Sequence, residues 1–236
     1  MALPPSGTTD EAFLREVDEE YRRDQAVRIF QRYGRWIAIA VVVALLALAG
    51  YLYSQHLATS AAGKRGEAYD AAMRMIEQGQ PDKAAPELEK IATSGNNGYA
   101  AMARIALGNV ALEKKDAKGA AARFAQVAND TGFEKPYRDM ALVRQTAAEF
   151  DTLKPEQVIE RLKPFTDPNS PWLGTAGEMV AAAYLKAGKT AEAGKLYGQI
   201  AQGGEKIPES IRQRAVQLAG VLGVDAIDQS KETKAQ

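Results

Sequence analysis

The chain contains no cysteine and one histidine, His56. Disulfides are thereby excluded, and the fold is indifferent to redox poise. Thiolate nucleophiles and thiolate metal sites are excluded too, and a lone histidine completes neither a metal site nor a catalytic triad. No excess of one charge exists: 30 basic residues face 30 acidic ones. That balance removes the electrostatic case for nucleic acid or a polyanionic substrate. No serine stands in a nucleophile elbow. Gly188-Lys189-Thr190 has the ending of a phosphate-binding loop, but the first glycine of G-x-x-x-x-G-K-T would fall at Ala183, and Tyr184 and Leu185 continue a helical run. Carboxylates are many, yet they sit in i,i+4 patterns that isolate no acid and base pair. The expectation is a protein that is not an enzyme, with no catalytic residues, no metal, no cofactor and no small-molecule substrate. The sequon Asn129-Asp130-Thr131 matters only in a glycosylating host.

What the chain has instead is one long apolar run. Trp36 to Tyr53, WIAIAVVVALLALAGYLY, is 18 residues without a charge, and with Ser54 and Gln55 the uncharged stretch between Arg35 and His56 is 20. A helix of roughly 20 residues matches the ~30 Å hydrocarbon core of a bilayer. Trp36 at one boundary and Tyr51 and Tyr53 at the other suit the headgroup level. A buried core helix would carry a polar stripe, and this run has none. Residues 36-55 are therefore read as a transmembrane signal anchor in contact with the lipid bilayer. The fifteen residues before Trp36 hold Arg22, Arg23, Arg28, Arg32 and Arg35, against Lys64 and Arg65 in the fifteen after Tyr53. The positive-inside rule then keeps the N-terminus cytoplasmic and exports the C-terminal bulk. Ala47-Leu48-Ala49 also offers a signal-peptidase pattern, but a charged segment of 35 residues before the apolar run favours an uncleaved anchor.

Residues 1-35 form a cytosolic arm. Met1 to Gly7, with Pro4, Pro5 and Gly7, are expected to be disordered, and Thr8 with Glu11 makes a capping box that opens a helix. Glu11 with Arg15, Asp18 with Arg22, Glu19 with Arg23 and Asp24 with Arg28 are favourable i,i+4 pairs. Phe13, Val17 and Tyr21 line one face, so the arm is either a solvated lead-in or a docking helix. Residues 56-66 are small and polar and read as a linker, with His56 interfacial and without a role.

From residue 67 to 223 apolar positions recur at helical spacing between short Gly, Pro and Asn turns, and no strand alternation appears. The pattern predicts helices over 61-78, 83-93, 99-114, 117-129, 136-150, 155-163, 172-187, 190-202 and 208-222, with Pro136, Pro155 and Pro208 in first turns. The run from Ala72 through Gly79 and Ala84 to Leu88 has the same spacing as that from Ala181 through Gly188 and Ala193 to Tyr197. Gly108, Asp116, Ala120 and Phe124 form another copy, and Leu142, Ala147, Val158 and Leu162 a weaker one. Ala84, Ala120, Val158 and Ala193 stand 36, 38 and 35 residues apart.

That period resembles the ~34 residues of tetratricopeptide repeats, stacked helix-turn-helix units. The fold class expected is all-α: an N-terminal transmembrane helix, then a tetratricopeptide-like α-solenoid of about four hairpins, closed by a capping helix with Ile211, Ala215, Leu218 and Leu222 and followed by a disordered tail, 224-236. The third copy lacks a turn glycine and carries Val158 for alanine, so its hairpin is expected to pack at another angle. In this repeat family the first helix of each pair lines a groove. Counting positions 2, 5 and 9 of those helices gives the expected partner-binding residues Tyr69, Met73, Met102, Ile105, Asn109, Met140, Val143, Thr175 and Glu178. Flexible methionines suit varied apolar partners; the competing reading has the same side chains packed into neighbouring helices.

An arm reading Glu16-Val17-Asp18-Glu19-Glu20, one span and four degenerate repeats, with Asn97-Gly98-Tyr99-Ala100-Ala101-Met102-Ala103 opening the second, is similar to a bacterial family, the ancillary subunits of the SecYEG translocon. The resemblance implies a single-pass inner-membrane protein with a periplasmic repeat domain, a role beside the channel, and SecYEG subunits, periplasmic chaperones or emerging exported chains as partners. Two rivals share the architecture or the compartment: a periplasmic scaffold for cell-envelope or cell-division enzymes, and an envelope hydrolase.

Overall fold

A computed structural model describes residues 8–95 and 98–225 of the chain. The expectations for Pro4, Pro5 and Gly7, for Asn97 and for the tail beyond Asp225 lie outside those residues, and the side-chain pairings drawn between Glu11 and Arg28 and the apolar face of the arm lie outside the described side chains. Nine α-helices are present among the described residues, and no strand: α1 (Thr8–Glu77), α2 (Pro81–Ala92), α3 (Gly98–Glu113), α4 (Ala117–Ala128), α5 (Lys135–Glu149), α6 (Pro155–Leu162), α7 (Leu173–Lys186), α8 (Thr190–Ala201) and α9 (Glu209–Val221). Single 3₁₀ turns at Lys163–Phe165 and Gly204–Lys206 complete the list of elements. The chain divides into two units, one ending at Lys64 and the other beginning at Arg65.

In the first unit, every side chain from Trp36 to Tyr53 is exposed. This is one helical segment long and apolar enough to cross a membrane. Residues 56–66 are helical, part of α1: the helix expected from residue 61 extends back through 56–60, which the sequence reading takes as a small, polar linker. Small and polar composition does not break a helix when it includes Ala58, Ala61 and Ala62 and no proline.

The second unit is built from repeated helix pairs whose turns share one chemistry. At the ends of the first, second and fourth leading helices, a residue with positive φ stops the helix: Gly79 at 71°, Lys115 at 61° and Gly188 at 73°. The next amide then donates five residues back: Gln80 to Met75 at 2.8 Å, Asp116 to Ala111 at 2.9 Å and Lys189 to Tyr184 at 2.8 Å. This is the Schellman closure, which satisfies carbonyls that the helix end leaves free. Helix α9 ends the same way, with Gly223 at 78° and Val224 donating to Ala219 at 2.9 Å. Lys115 adopts the left-handed region without being glycine, where a Cβ costs about 1–2 kcal/mol. The larger unfolded-state entropy of glycine offsets part of that cost. Lys115→Gly is therefore expected to stabilise the chain by up to about 1 kcal/mol, read as a higher urea midpoint at unchanged slope; a lower midpoint would contradict the account.

The repeat register is visible in the core. Ala84, Ala120, Val158 and Ala193 are all buried, at 0%, 0%, 1% and 0% exposure, and four residues later Leu88, Phe124, Leu162 and Tyr197 are buried too. On the leading helices the matching positions are Ala72, Gly108, Thr146 and Ala181, also buried. A Cβ on Gly108 would lie 2.5 Å from Phe124, so the smallest residue stands opposite the largest. Thr146, the one buried polar residue among those described, donates its hydroxyl to the Leu142 carbonyl at 2.8 Å, which satisfies it inside its own helix.

These contacts form three apolar clusters along the array. One joins α1 near Ala72 to α2 and α3; one joins α3, α4 and α5 through Phe124 and Phe133; the last runs from Val143 to Ala219. The third pair departs from the others as its sequence announced. No residue of positive φ ends α5, and Phe150 closes it in ordinary helical geometry. α5 then packs chiefly on α4 and α6 on α7, while α5 and α6 touch little. Within 165–171, Phe165 is buried in its 3₁₀ turn and anchors the expected loop.

The C-terminal boundary is a second correction. Val224, assigned from the sequence to a disordered tail, packs on the last pair: its methyl groups lie 3.0 and 3.2 Å from where Cβ atoms on Gly194 and Gly198 would stand. Two glycines in α8 open a furrow that one valine fills, and the Gly223 turn aims it there.

Candidate functional site

The leading helices of successive pairs are the C-terminal part of α1, then α3, α5, α7 and α9. Residues at i, i+3, i+7 and i+10 of one helix share a stripe. Aligned by the repeat offsets, the stripe carries Tyr69, Met73 and Ile76 on α1, and Met102, Ile105, Asn109 and Leu112 on α3. On α5 it carries Met140, Val143 and Ala147, with Phe150 just beyond the helix end, and on α7 Thr175, Glu178, Ala182 and Leu185.

The residues expected to bind a partner take three different environments here. Ile105 and Val143 are 6% and 5% exposed and belong to the core. Tyr69 and Met73 are half-buried and pack on the first cluster, with the Tyr69 ring 6.1 Å from that of Tyr99. Met102 is 39% exposed, Met140 is half-buried and Thr175 is exposed. Asn109 and Glu178 are tied to the next leading helix: Arg144 donates to Asn109 Oδ1 at 2.7 Å, and Arg214 donates to both carboxylate oxygens of Glu178 at 2.7 Å. So part of the stripe is filled by the array's own packing and part is open.

Sequence reasoning missed the last position of the stripe. Ile76, Leu112, Phe150 and Leu185 recur at the same 36, 38 and 35 residue offsets, and Leu112 and Leu185 are 39% and 37% exposed. The signal was available, since four large apolar residues at one register are as periodic as the alanines. It also missed Arg144 and Arg214, each about one repeat beyond its partner, a separation at which adjacent leading helices meet.

The electrostatics change along the array. At its C-terminal end, Glu178 cancels Arg214, and its hydrogen bonds push that guanidinium further above its ordinary range. In the middle, Arg144 is exposed and its side-chain partner, Asn109, is neutral. At the N-terminal end, burial and then the neighbouring Asp70 push the Tyr69 phenol upward, and burial does the same to Tyr197, helped by Glu178 and opposed by Arg214. A phenol that resists ionisation in the fold loses ground once the unfolded chain ionises. Its contribution is whole below pH 10 and is lost as pH rises through the raised folded value. Stability is expected to decline above pH 10, and Tyr69→Phe with Tyr197→Phe to flatten that decline in urea titrations run at stepped pH.

Other concavities lie off this face. A cleft of about 590 Å³ sits beside the end of α8 at Gln202 and Gly204, and one of about 410 Å³ between α4 and α5 is lined largely by alanine. Neither gathers convergent polar groups of the kind a small ligand needs. Among the described residues no three His, Asp or Glu side chains converge to hold a metal ion.

Comparison with known proteins follows the same lines. A family model described as a tetratricopeptide repeat-like domain matches residues 28–219, which takes in the apolar run as well as the array. The ancillary SecYEG translocon subunit of Escherichia coli (strain K12) is 31% identical over 107 residues, 45% of this chain and 52% of that protein. The match thus spans about half the length of that relative. No solved structure matches.

Proposed function

Because the chain belongs to the tetratricopeptide repeat-like domain family, we propose that it is a non-enzymatic adaptor, held in the inner membrane by residues 36-55 and associated with the Sec translocon. The N-terminus lies in the cytoplasm, and the repeat domain stands in the periplasm, where its leading-helix stripe receives chaperones or emerging exported chains. The observation that carries the reading is the open apolar part of that stripe: Met102 and Leu112 on α3 and Leu185 on α7, with half-buried Met140 on α5 between them and few charges among them. Flexible thioethers and leucines repack around varied apolar side chains, which suits a receiver of many sequences better than a reader of one. The likeness to the translocon subunit supports the choice of compartment and channel. Anchoring raises the local concentration of the repeat domain toward the mM range, so weak contacts suffice.

The same architecture suits a scaffold for envelope or division enzymes, and one experiment separates the two. A photocrosslinking amino acid is placed at Met102 or Leu112 of the full chain in membranes of the native host, and captured proteins are identified by mass spectrometry. Capture of channel subunits, chaperones or nascent exported chains is expected. Capture of cell-wall or division proteins alone would replace the translocon reading with the scaffold. Protease added to intact spheroplasts is expected to digest the repeat domain and spare the arm; the reverse pattern would overturn the orientation.

A further inference from the structure

The N-terminal boundary of the apolar run carries charge that nothing nearby in the chain opposes. Arg32, Tyr33, Arg35 and Trp36 are all exposed on α1, and neither arginine donates a hydrogen bond or joins an ion pair among the described residues. The sequence holds no Asp or Glu between Asp24 and Glu67. At about 1.5 Å per residue, Asp24 lies roughly 12 Å along the helix from Arg32, beyond a Debye length of about 8–10 Å.

The four side chains form one wedge of the helix. Successive residues turn by about 100°, so Arg35, Arg32, Trp36 and Tyr33 follow one another around roughly 160° of the circumference, two guanidiniums and then two rings. Each guanidinium carbon lies 5.7 Å from the centroid of the ring next in sequence, Arg32 over Tyr33 and Arg35 over Trp36. A ring attracts a cation through its face and leaves the N–H groups unused, so each arginine is held while keeping its donors.

Depth decides which anion can meet them. The polar layer of one leaflet is about 5–7 Å thick, half the difference between a ~30 Å hydrocarbon core and the whole bilayer. With Trp36 at the inner edge of that layer, Arg35 stands about 1.5 Å and Arg32 about 6 Å further out. Both guanidiniums therefore sit at the level of the lipid phosphates. Lys64 and Arg65, beyond Tyr53 at the other boundary, are roughly 17 Å along the helix from it and clear of the layer. The planar fork of arginine matches a phosphate by two parallel hydrogen bonds. A zwitterionic headgroup brings its own cation to compete for that phosphate, and a headgroup of net negative charge does not.

We propose that Arg32 and Arg35, with the rings of Tyr33 and Trp36, form a binding site for the headgroup of an anionic phospholipid in the leaflet at the N-terminal end of the span. The site goes beyond the adaptor reading and rests on its membrane anchor. It gives the anchor a lipid preference, and it fixes which side of the helix faces that lipid.

The test uses the full chain reconstituted in vesicles and the fluorescence of Trp36, with the contribution of Trp172 subtracted by a Trp36→Phe variant. In one series phosphatidylglycerol, brominated near the headgroup end of its acyl chains, is diluted into unlabelled phosphatidylcholine; in the other, phosphatidylcholine brominated at the same place replaces it. The two quenching curves give the relative affinity of the lipids beside Trp36. Phosphatidylglycerol is expected to be favoured about tenfold, the scale of two cations in the headgroup layer. Arg32→Gln with Arg35→Gln is expected to bring the ratio to about one, and each single change to an intermediate value. Arg32→Lys with Arg35→Lys keeps the charge but removes the fork, and is expected to lose most of the preference. Equal quenching by the two lipids in the wild-type chain, an unchanged ratio in the glutamine pair, or a ratio kept in full by the lysine pair, which would mark a diffuse field instead of a site, would overturn the proposal. Relief of the quenching by millimolar glycerol phosphate would overturn it too, by assigning the arginines to a soluble phosphate. If the wild-type chain resists carbonate extraction while both lipids quench alike, the lipid inference falls and the adaptor reading stands. If the wild-type chain is itself extracted by carbonate, the anchor is absent and both fall.

Discussion

Phe124→Ala is expected to lower the unfolding free energy by about 3–5 kcal/mol, a large fraction of the roughly 5–15 kcal/mol that holds a domain together. Phe124 is fully buried, and its ring stands where a side chain on Gly108 would be. Removing the ring leaves a hole between α3 and α4 that glycine cannot help to fill. The consequence reaches further than one pair because stability in a repeat array is carried by intrinsic terms and nearest-neighbour interfaces. Phe124 sits in the cluster that joins α3, α4 and α5, between the cluster around Leu88 and the one running from Val143 to Ala219. Weakening it should uncouple the two ends. Urea unfolding followed by circular dichroism on the detergent-solubilised chain is therefore expected to change from one transition to a broadened or split one. Amide hydrogen exchange should lose protection in α3 to α5 while α7 to α9 keep theirs. The complementary substitution discriminates packing from mere loss of area. Gly108→Ala alone places a methyl group against the ring and is expected to cost about 1–3 kcal/mol by overpacking. Combined with Phe124→Leu it should cost less than the sum of the two single changes. Strict additivity would mean that Gly108 and Phe124 do not shape each other.

That pairing also shows which features could be read from the chain. Ala84, Ala120, Val158 and Ala193 were recoverable because close approach of paired helices demands a small residue once per repeat, and demand at a fixed interval leaves a period. The large residue four positions on, from Leu88 to Tyr197, is legible for the same reason. Helix ends were readable to within a residue or two wherever glycine or proline marked them, as at Gly79, Pro155 and Gly188. Lys115 shows where that code stops: its left-handed turn is imposed by the repeat geometry around it, and lysine carries no sign of it. Val224 could not be placed from its own neighbours, because the furrow that accepts it is made by Gly194 and Gly198, some thirty residues earlier.

The candidate site was legible in position but not in state. Counting along the leading helices found the stripe, yet periodicity alone does not say that Ile105 and Val143 turn into the core while Met102 stays outside. That distinction depends on how each helix packs against its neighbours once the array has stacked. The bonds from Arg144 to Asn109 and from Arg214 to Glu178 arise between helices that are adjacent only after the array has stacked. Charge at the stripe was invisible for the same reason: the whole chain balances to zero, and what differs is which guanidinium finds a carboxylate.

Two arginines in the middle of the apolar run, Val43→Arg with Leu45→Arg, are expected to release the chain from the membrane, and the arithmetic shows why one would not be enough. The run from Trp36 to Tyr53 has nine aliphatic side chains of Ile, Val and Leu. At about −0.3 to −0.6 kcal/mol each near the centre of a span, they favour insertion by roughly 3–5 kcal/mol, with the alanines near neutral. One arginine at the centre opposes this by about 2.5–3.5 kcal/mol, which brings insertion close to balance, and a second drives it well past zero. The single variant Leu45→Arg should therefore partition between membrane and soluble fractions, while the double variant should be extracted by alkaline carbonate or fail to be exported. Placing the same two arginines at His56 and Thr59, outside the uncharged stretch, adds charge without entering the hydrocarbon and should leave the chain carbonate-resistant. Retention of the double core variant in the carbonate pellet would show that residues 36-55 are not what holds the chain to the membrane. The intact mass of the wild-type chain settles the remaining question of fate: a product that keeps Met1 to Ala49 is an anchored protein, and one that begins at Gly50 has been cut after Ala47-Leu48-Ala49 and released.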